Sequence, residues 1–433
     1  MKRLSTIIIL ILLASFVSHG AAQSANYYVS PTGNDSNPGT LEAPWLTIQH
    51  AINVVPIGAI ITVQDGEYEE NLNVWKSVTL AAQPGAEIIG VKSSSPTPCI
   101  KISASNVTIQ DFIIRDCYGY GVFTSADKTN IIGNTITNAV GSGIYMDGDY
   151  LVADGNEISV IRNYLYPESS YRTDADGIRF FGSHHVIVNN YIHDINHKDL
   201  MHYTNCSDSQ AQIDENCWAH IDGFQTWRSA VDILFENNTV ILPYNTLPDG
   251  TLLKNLMIKY TMIERNSSSY TVSNIIFRNN TFISYAITSW HPAQIGHNAC
   301  SSSYPITDVL FDGNTFTGNG TMAVLLQCIN GITFQGNTYS GYSRHYWILK
   351  SVINLVDNDG STTPPTNTPA PLPTYTPTRT PQPTPTRTQA PTPTSIPPTY
   401  TPTATPTETP DFPETLQCVV IDRDAEYIYL KCK

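Results

Sequence analysis

ILFENNTV (Ile233–Val240), IIFRNNTF (Ile275–Phe282) and VLFDGNTF (Val309–Phe316) are three copies of one phrase. Apolar residues alternate, a polar turn follows, and an apolar residue resumes. VTIQDFI (Val107–Ile113), IIGNTI (Ile131–Ile136), VADGNEI (Val152–Ile158), VIVNNYI (Val186–Ile192) and ITFQGNTY (Ile332–Tyr339) carry the same pattern. Its polar position falls on Asp111, Asn134, Asn156, Asn190, Asn238, Asn280, Asn314 and Asn337, with gaps of 23, 22, 34, 48, 42, 34 and 23 residues. A period near 23 with a turn Asn describes one coil of a parallel β-helix, an all-β solenoid. Inward Val, Ile and Phe residues stack on their equivalents at the ~4.8 Å spacing of paired strands. An Asn at the turn suits the left-handed backbone region and can bond its amide to the Asn of the next coil. These Asn residues therefore read as a structural ladder. The longer gaps are coils with insertions, which in solenoids gather where function sits.

The ends of the chain differ from this core. Lys2 and Arg3, the apolar run Ile7–Val17 and the small residues Gly20-Ala21-Ala22 read as a signal peptide over 1–22, implying export and a secreted or cell-surface protein. No later stretch approaches the ~20 apolar residues of a membrane span. Eight cysteines without a CxxC spacing fit disulfides rather than zinc. Proximity favours Cys99–Cys117, Cys206–Cys217, Cys300–Cys328 and Cys418–Cys432. The solenoid is expected over 23–360. Residues 361–413 hold 17 of the 29 prolines, interleaved with Thr, as in an extended disordered linker. Residues 414–433 read as a tiny hairpin closed by Cys418 and Cys432. A net charge of −14 without a basic stripe excludes nucleic acid as a partner, though a local basic groove for an acidic polysaccharide remains compatible with it. A monomer is expected.

The segment Tyr27–Tyr68, YYVSPTGNDSNPGTLEAPWLTIQHAINVVPIGAIITVQDGEY, resembles the opening of secreted, pectate-lyase-like right-handed parallel β-helix proteins. That resemblance implies an N-terminal cap with a short helix. The helical apolar spacing of Ile48, Ala51, Ile52 and Val55 agrees with it. The cap implies no substrate, because lyases, hydrolases and non-enzymatic adhesins share it.

Counting back 11 residues from the ladder reaches Phe123, Tyr145 and Arg179; Gln225 and Lys259 follow on the next two coils after insertions. Strand periodicity predicts that these five stack on one exposed face. Aromatic side chains followed by Arg, Gln and Lys suit a sugar-binding groove with a clamp for an anionic group. Two coils open with DADGIRF (Asp174, Asp176) and HIDGFQTW (His220, Asp222). Their acids are turn formers, Ca²⁺ ligands or an acid and base for glycoside cleavage.

HIDGFQTW followed by MIKY is similar to the arrangement in family 9 polysaccharide lyases, which bind Ca²⁺ on one coil and carry a Lys base on the next. The resemblance implies Asp222 as a calcium ligand and Lys259 as the base. His220 and Gln225 replace further acids of that pattern. DADGIRF also resembles a phrase of family 28 polygalacturonases, which would put Asp176 on the catalytic acid, with Arg179 replacing a second Asp.

Three readings follow. The first is a lyase cleaving a uronate-containing polysaccharide by β-elimination, with Lys259 as base beside Arg179 and with Asp222, Asp176 and His220 in the catalytic group. Ca²⁺ would be shared by Asp222, Asp176 and Asp174. Tyr145, Gln225, Trp227 and Arg228 would bind substrate, joined by His197 and His202 from the insertion His193–His220. The second is a glycoside hydrolase using Asp176 and Asp222. The third is a non-catalytic carbohydrate-binding or adhesive rod. Convergence of Asp176, Asp222 and Lys259 on one cleft separates the enzymes from the rod.

Overall fold

The computed structural model describes residues 26–93, 95–162, 174–195, 221–242, 258–285, 293–297 and 300–359, and the backbone of the strands Cys418–Arg423 and Ile428–Cys432. The expected signal peptide, the Pro/Thr stretch and Cys206 and Cys217 lie outside these residues. Contacts divide the chain into units Met1–Thr374 and Tyr375–Lys433. In the second unit the two strands pair antiparallel, with Cys418 opposite Cys432.

In the first unit the strands pair in parallel with the equivalent strands of the coils before and after, giving one ladder of 10 strands and a merged sheet of 21. Coil follows coil at 22 residues where nothing is inserted: Ile100 pairs with Val122, and Val122 with Ile144. Many strands bury alternate residues, as in VTIQ (Val107–Gln110), whereas Ile221–Thr226 and Ile258–Ile263 are buried throughout. The column Phe235–Phe277–Phe311–Phe334–Tyr346, buried up to the half-buried Tyr346, stacks ring on ring, with centroids 4.7, 4.7, 5.2 and 5.1 Å apart. The sequence alternation thus becomes a continuous apolar core.

The expected cap is present. Helix Ile48–Val54 buries Ile48, Ala51 and Ile52 against the first coil, and its N-cap Thr47 accepts from the His50 N–H. The Glu70 carboxylate accepts from the N–H groups of Ile48 and Gln49, satisfying two more of the donors a helix start leaves open. Cys99–Cys117 and Cys300–Cys328 are bonded as expected. Among the described residues no helix is long and apolar enough to cross a membrane.

The Asn ladder runs from Asn134 to Asn337, each amide donating to the next through Asn156, Asn190, Asn238, Asn280 and Asn314 at 2.9–3.1 Å. The same oxygens accept from backbone N–H groups, so every ladder carboxamide fixes its coil in register with the next. Asp359, absent from the sequence reading, closes the ladder by accepting from Asn337. Two expectations are corrected. The left-handed residue is the one before each ladder Asn: Gly133, Gly155, Asn189, Asn237, Asn279, Gly313 and Gly336. Asp111 belongs to that set, with φ of 65°. The first ladder slot is therefore Phe112, whose N–H donates to Asn134 Oδ1.

Replacing Asn238 with Ala removes the acceptor of Asn190 and the donor to Ile187 O and Asn280. Each buried polar group left unpaired costs about 1–3 kcal/mol. Asn238→Ala is therefore expected to lower the denaturant midpoint clearly, and Asn73→Ala, at an exposed strand position, to leave it nearly unchanged. Equal midpoints for the two variants would contradict the ladder's role.

Candidate functional site

The strands Asp176–Val188, Ile221–Thr226, Ile258–Ile263 and Ala293–Ile295 lie side by side on consecutive coils. Each begins shortly after one of the inserted segments of the sequence. Register assigns the side chains. Ser142 pairs with Asp176, and Asp222 pairs with Lys259. The register Ile178–Phe224 and Arg179–Gln225 carries Asp176 alongside Asp222. Ser142, Asp176, Asp222 and Lys259 thus form one column. A second column runs Phe123, Tyr145, Arg179, Gln225, Met262 and Gln294.

The sequence reading is right for the first four members of the second column and wrong for the fifth. Lys259 sits one column over, against Asp222, and Met262 follows Gln225. The expected exposure is also corrected: Arg179, Gln225 and Lys259 are 6, 3 and 2% exposed. Arg179 folds onto the coil instead of reaching outward. Its Nε donates to Asp176 Oδ2 at 2.7 Å, its Nη2 contacts Asp176 and reaches Asp174 at 3.3 Å, and its guanidinium lies 4.8 Å from the Trp227 ring. Lys259 Nζ is 3.4 Å from Met262 Sδ.

Asp174, Asp176, Asp222 and Lys259 converge, with Gln225 and Trp227 beside them. Arg228 faces the other way, donating to Asp147 at 2.7 Å and lying over Phe181 at 3.8 Å, close to Tyr145. Tyr145 also packs on Phe123 and Phe181, with centroids 5.0 and 5.6 Å apart. An aromatic row therefore continues from the charged cluster toward the N-terminal coils. His197, His202 and His220 lie outside the described residues. Sequence reasoning missed Glu264, which directly follows the Lys259 strand, and Gln294 and His297 one coil on. Glu264 is buried, and its Oε1 is 3.7 Å from His297 Nε2.

Four carboxyls and two cations share this low-dielectric pocket. Burial raises Asp222 well above the ordinary carboxylate range; Lys259 opposes the rise, and Asp176, Asp174 and Glu264 add to it. Burial pushes Asp176 up to about 7 against the pull of Arg179. Burial likewise pushes Glu264 up to about 7, opposed by Lys259 and helped by Asp174. Among the described residues, both Asp222 carboxyl oxygens, Asp176 Oδ1, Gln225 Oε1 and Glu264 Oε1 are buried without a hydrogen-bond partner. Such groups suit a polar ligand that arrives with its own donors and acceptors.

The three acids expected to share Ca²⁺ do not suit that ion. Asp174 and Asp176 both contact Arg179, and Lys259 stands beside Asp222, so two cations already occupy the field a Ca²⁺ would need. Among the described residues no group of three or more acids, His or Cys has metal-binding spacing. Calcium prefers roughly six to eight oxygen ligands. No step below uses it.

The buried acids link stability to pH. Their unfolded forms ionise near pH ~4, whereas folded Asp176 and Glu264 hold a proton to about 7. Their stabilising contribution is complete below pH ~4 and is lost as pH rises to about 7. Glu264→Gln, uncharged throughout, is expected to flatten the fall of Tm between pH 4 and pH 8 and to melt above the parent at pH 8. Parallel Tm profiles for the two proteins would contradict the assignment.

Comparison with known proteins places the chain. Residues 77–240 match the family described as right handed beta helix region, and residues 31–74 match a family described as protein of unknown function (DUF1565). The uncharacterized protein YwoF of Bacillus subtilis (strain 168) is 28% identical over 123 residues, 24% of this chain and 26% of its own length. A cell surface glycoprotein of Methanothermus fervidus is 33% identical over 146 residues, 33% of this chain and 22% of its own length. The matches thus span about a quarter of these relatives. The crystal structure of an alginate lyase from Paenibacillus sp. str. FPU-7 is similar at TM-score 0.45 and 13% identity, covering 72% of this chain and 96% of that chain. With its parallel coils and its match over residues 77–240, the chain is a right-handed parallel β-helix protein.

Proposed function

We propose that this protein is an extracellular lyase that cleaves a uronate-containing polysaccharide by β-elimination. The observation that carries the proposal is the direct pairing of Asp222 with Lys259 on adjacent coils, both buried, with the Asp222 carboxyl oxygens unpaired. Elimination begins by removing the proton α to a uronate carboxylate, which is acidic enough only when the carboxylate's charge is offset. A protonated Asp222 donates a hydrogen bond to that carboxylate, and Lys259 on the next rung takes the proton. Burial raises the Asp222 pKa, which favours the protonated form this step requires. Tyr145 and Trp227, both partly exposed, offer faces for neighbouring sugar rings, and Gln225 adds amide contacts.

Export is supported by the Ile7–Val17 pattern, by the two disulfides, and by the similarity of one segment to a cell surface glycoprotein. A hydrolase is the second reading, favoured by the raised pKa values of Asp176 and Glu264, since glycoside hydrolysis needs a protonated acid at working pH.

Incubation with pectate, alginate and glycosaminoglycans should yield the ultraviolet absorbance of an unsaturated uronate product from at least one polymer. Reducing ends without that absorbance would establish the hydrolase instead, and retention of intact polymer without cleavage would establish the binding rod. Lys259→Ala is expected to lower turnover by ~10²–10⁴-fold, the usual span of an acid–base contribution, and Asp222→Ala, which removes the hydrogen-bond donor to the carboxylate, is expected to lower it as well. Undiminished activity in Lys259→Ala would show that another group is the base. Chelator is expected to leave activity unchanged, because protonated Asp222 offsets the carboxylate's charge without a metal; loss of activity restored by Ca²⁺ would contradict that.

A further inference from the structure

Elimination has a second requirement that Asp222 and Lys259 do not meet. The departing glycosidic oxygen is a poor leaving group unless it receives a proton as its bond to carbon breaks. Asp176 is held by Arg179, and Asp222 is committed to the uronate carboxylate. The remaining buried acid of the cluster is Glu264.

Its position is fixed by the coil, since the Glu264 N–H donates to Thr226 O at 2.9 Å. Its side chain is 11% exposed, and Oε1 has no hydrogen-bond partner among the described residues. His297 Nε2 lies 3.7 Å from that oxygen, just beyond hydrogen-bond range, and its side chain is 37% exposed. His297 therefore connects a buried carboxyl with solvent. Among the described residues, Lys259, Asp174 and Asp222 are the other charged groups that interact with Glu264; Lys259 and Lys350 act on His297.

We propose that Glu264 is the acid that protonates the leaving oxygen and that His297 returns the proton from solvent. The proposal rests on the elimination reading above. In the step, Lys259 takes the proton from the carbon α to the carboxylate. The electron pair of that C–H bond becomes the new C=C bond. The adjacent C–O bond breaks, its electron pair goes to oxygen, and the Glu264 proton is transferred to that oxygen. Lys259 then carries an added proton and Glu264 lacks one. Exchange with water, through His297 at Glu264, restores both. Glu264 holds its proton to about pH 7 because of burial, while burial, Lys259 and Lys350 lower His297 and keep it ready to accept and pass one on.

The test uses the full-length protein on a uronate polymer that the parent cleaves. Glu264→Gln is expected to lower kcat by ~10²-fold with KM nearly unchanged, and to make the alkaline limb of the pH–rate profile shallower by one proton. His297→Ala is expected to lower kcat ~10-fold and to recover activity with added imidazole. Parental kcat and an unaltered pH profile in Glu264→Gln would overturn the proposal while leaving the elimination reading intact. Should Glu264→Gln fail to fold by circular dichroism, His297→Ala decides: imidazole rescue supports the relay, and undiminished kcat or absence of rescue overturns it. If the parent releases no unsaturated product from any uronate polymer, the underlying reading fails first and separately.

Discussion

Everything in this molecule depends on the register between coils, and the buried Asn carboxamides hold it. Each ladder Asn accepts from the backbone and side chain of one neighbour and donates to the next, leaving little room for a slip. A one-residue slip would send every alternate side chain from the core to the opposite face and unstack the Phe column. It would also separate residues that are neighbours only through register. Asp222 and Lys259 are 37 positions apart in the chain, yet they stand on adjacent rungs whatever the insertion between them does. The ladder thus converts distant positions into a fixed chemical neighbourhood.

That neighbourhood is expensive for the fold. Burying Asp176, Asp222 and Glu264 is tolerated because Arg179 and Lys259 offset part of the charge and because raised pKa values let some acids stay neutral. A core built for stability alone would place apolar residues there, as most of the solenoid does. Several of the buried oxygens also lack hydrogen-bond partners among the described residues, which is costly without an incoming ligand. The unpaired groups cluster on the strands that follow the longest insertions. Residues at this face that break the rules of a good core are therefore the best indication of where chemistry belongs.

Much of the fold was legible because its period is written in residue types with a single physical role: apolar residues facing in, Asn at the ladder, Gly or Asn in the left-handed slot before it. Asp111 was misread because Asp also tolerates a left-handed backbone, and the true slot holds Phe112, which carries no polar signal. The Arg179–Gln225 column was found by counting back from the ladder. The count failed at Lys259 because the column residue Met262 lies 18 positions before Asn280 (280 − 262), against 11 for Arg179 before Asn190 (190 − 179), and fixed offsets do not survive the extra residues. Glu264 and His297 belong to no motif. A usable signal was nevertheless present. Phe181 follows Arg179 by two residues and Trp227 follows Gln225 by two, and Glu264 stands in the same relation to Met262.

The most direct measurement is a crystal structure of the Lys259→Ala variant with a uronate oligosaccharide bound. The account predicts a sugar carboxylate within hydrogen-bond distance of Asp222, its α C–H directed at the space left by the Lys259 side chain, and the adjoining rings against Trp227 and Tyr145. An oligosaccharide seated away from Asp222, or with its carboxylates turned to solvent, would contradict the claim that this pair of rungs performs the elimination.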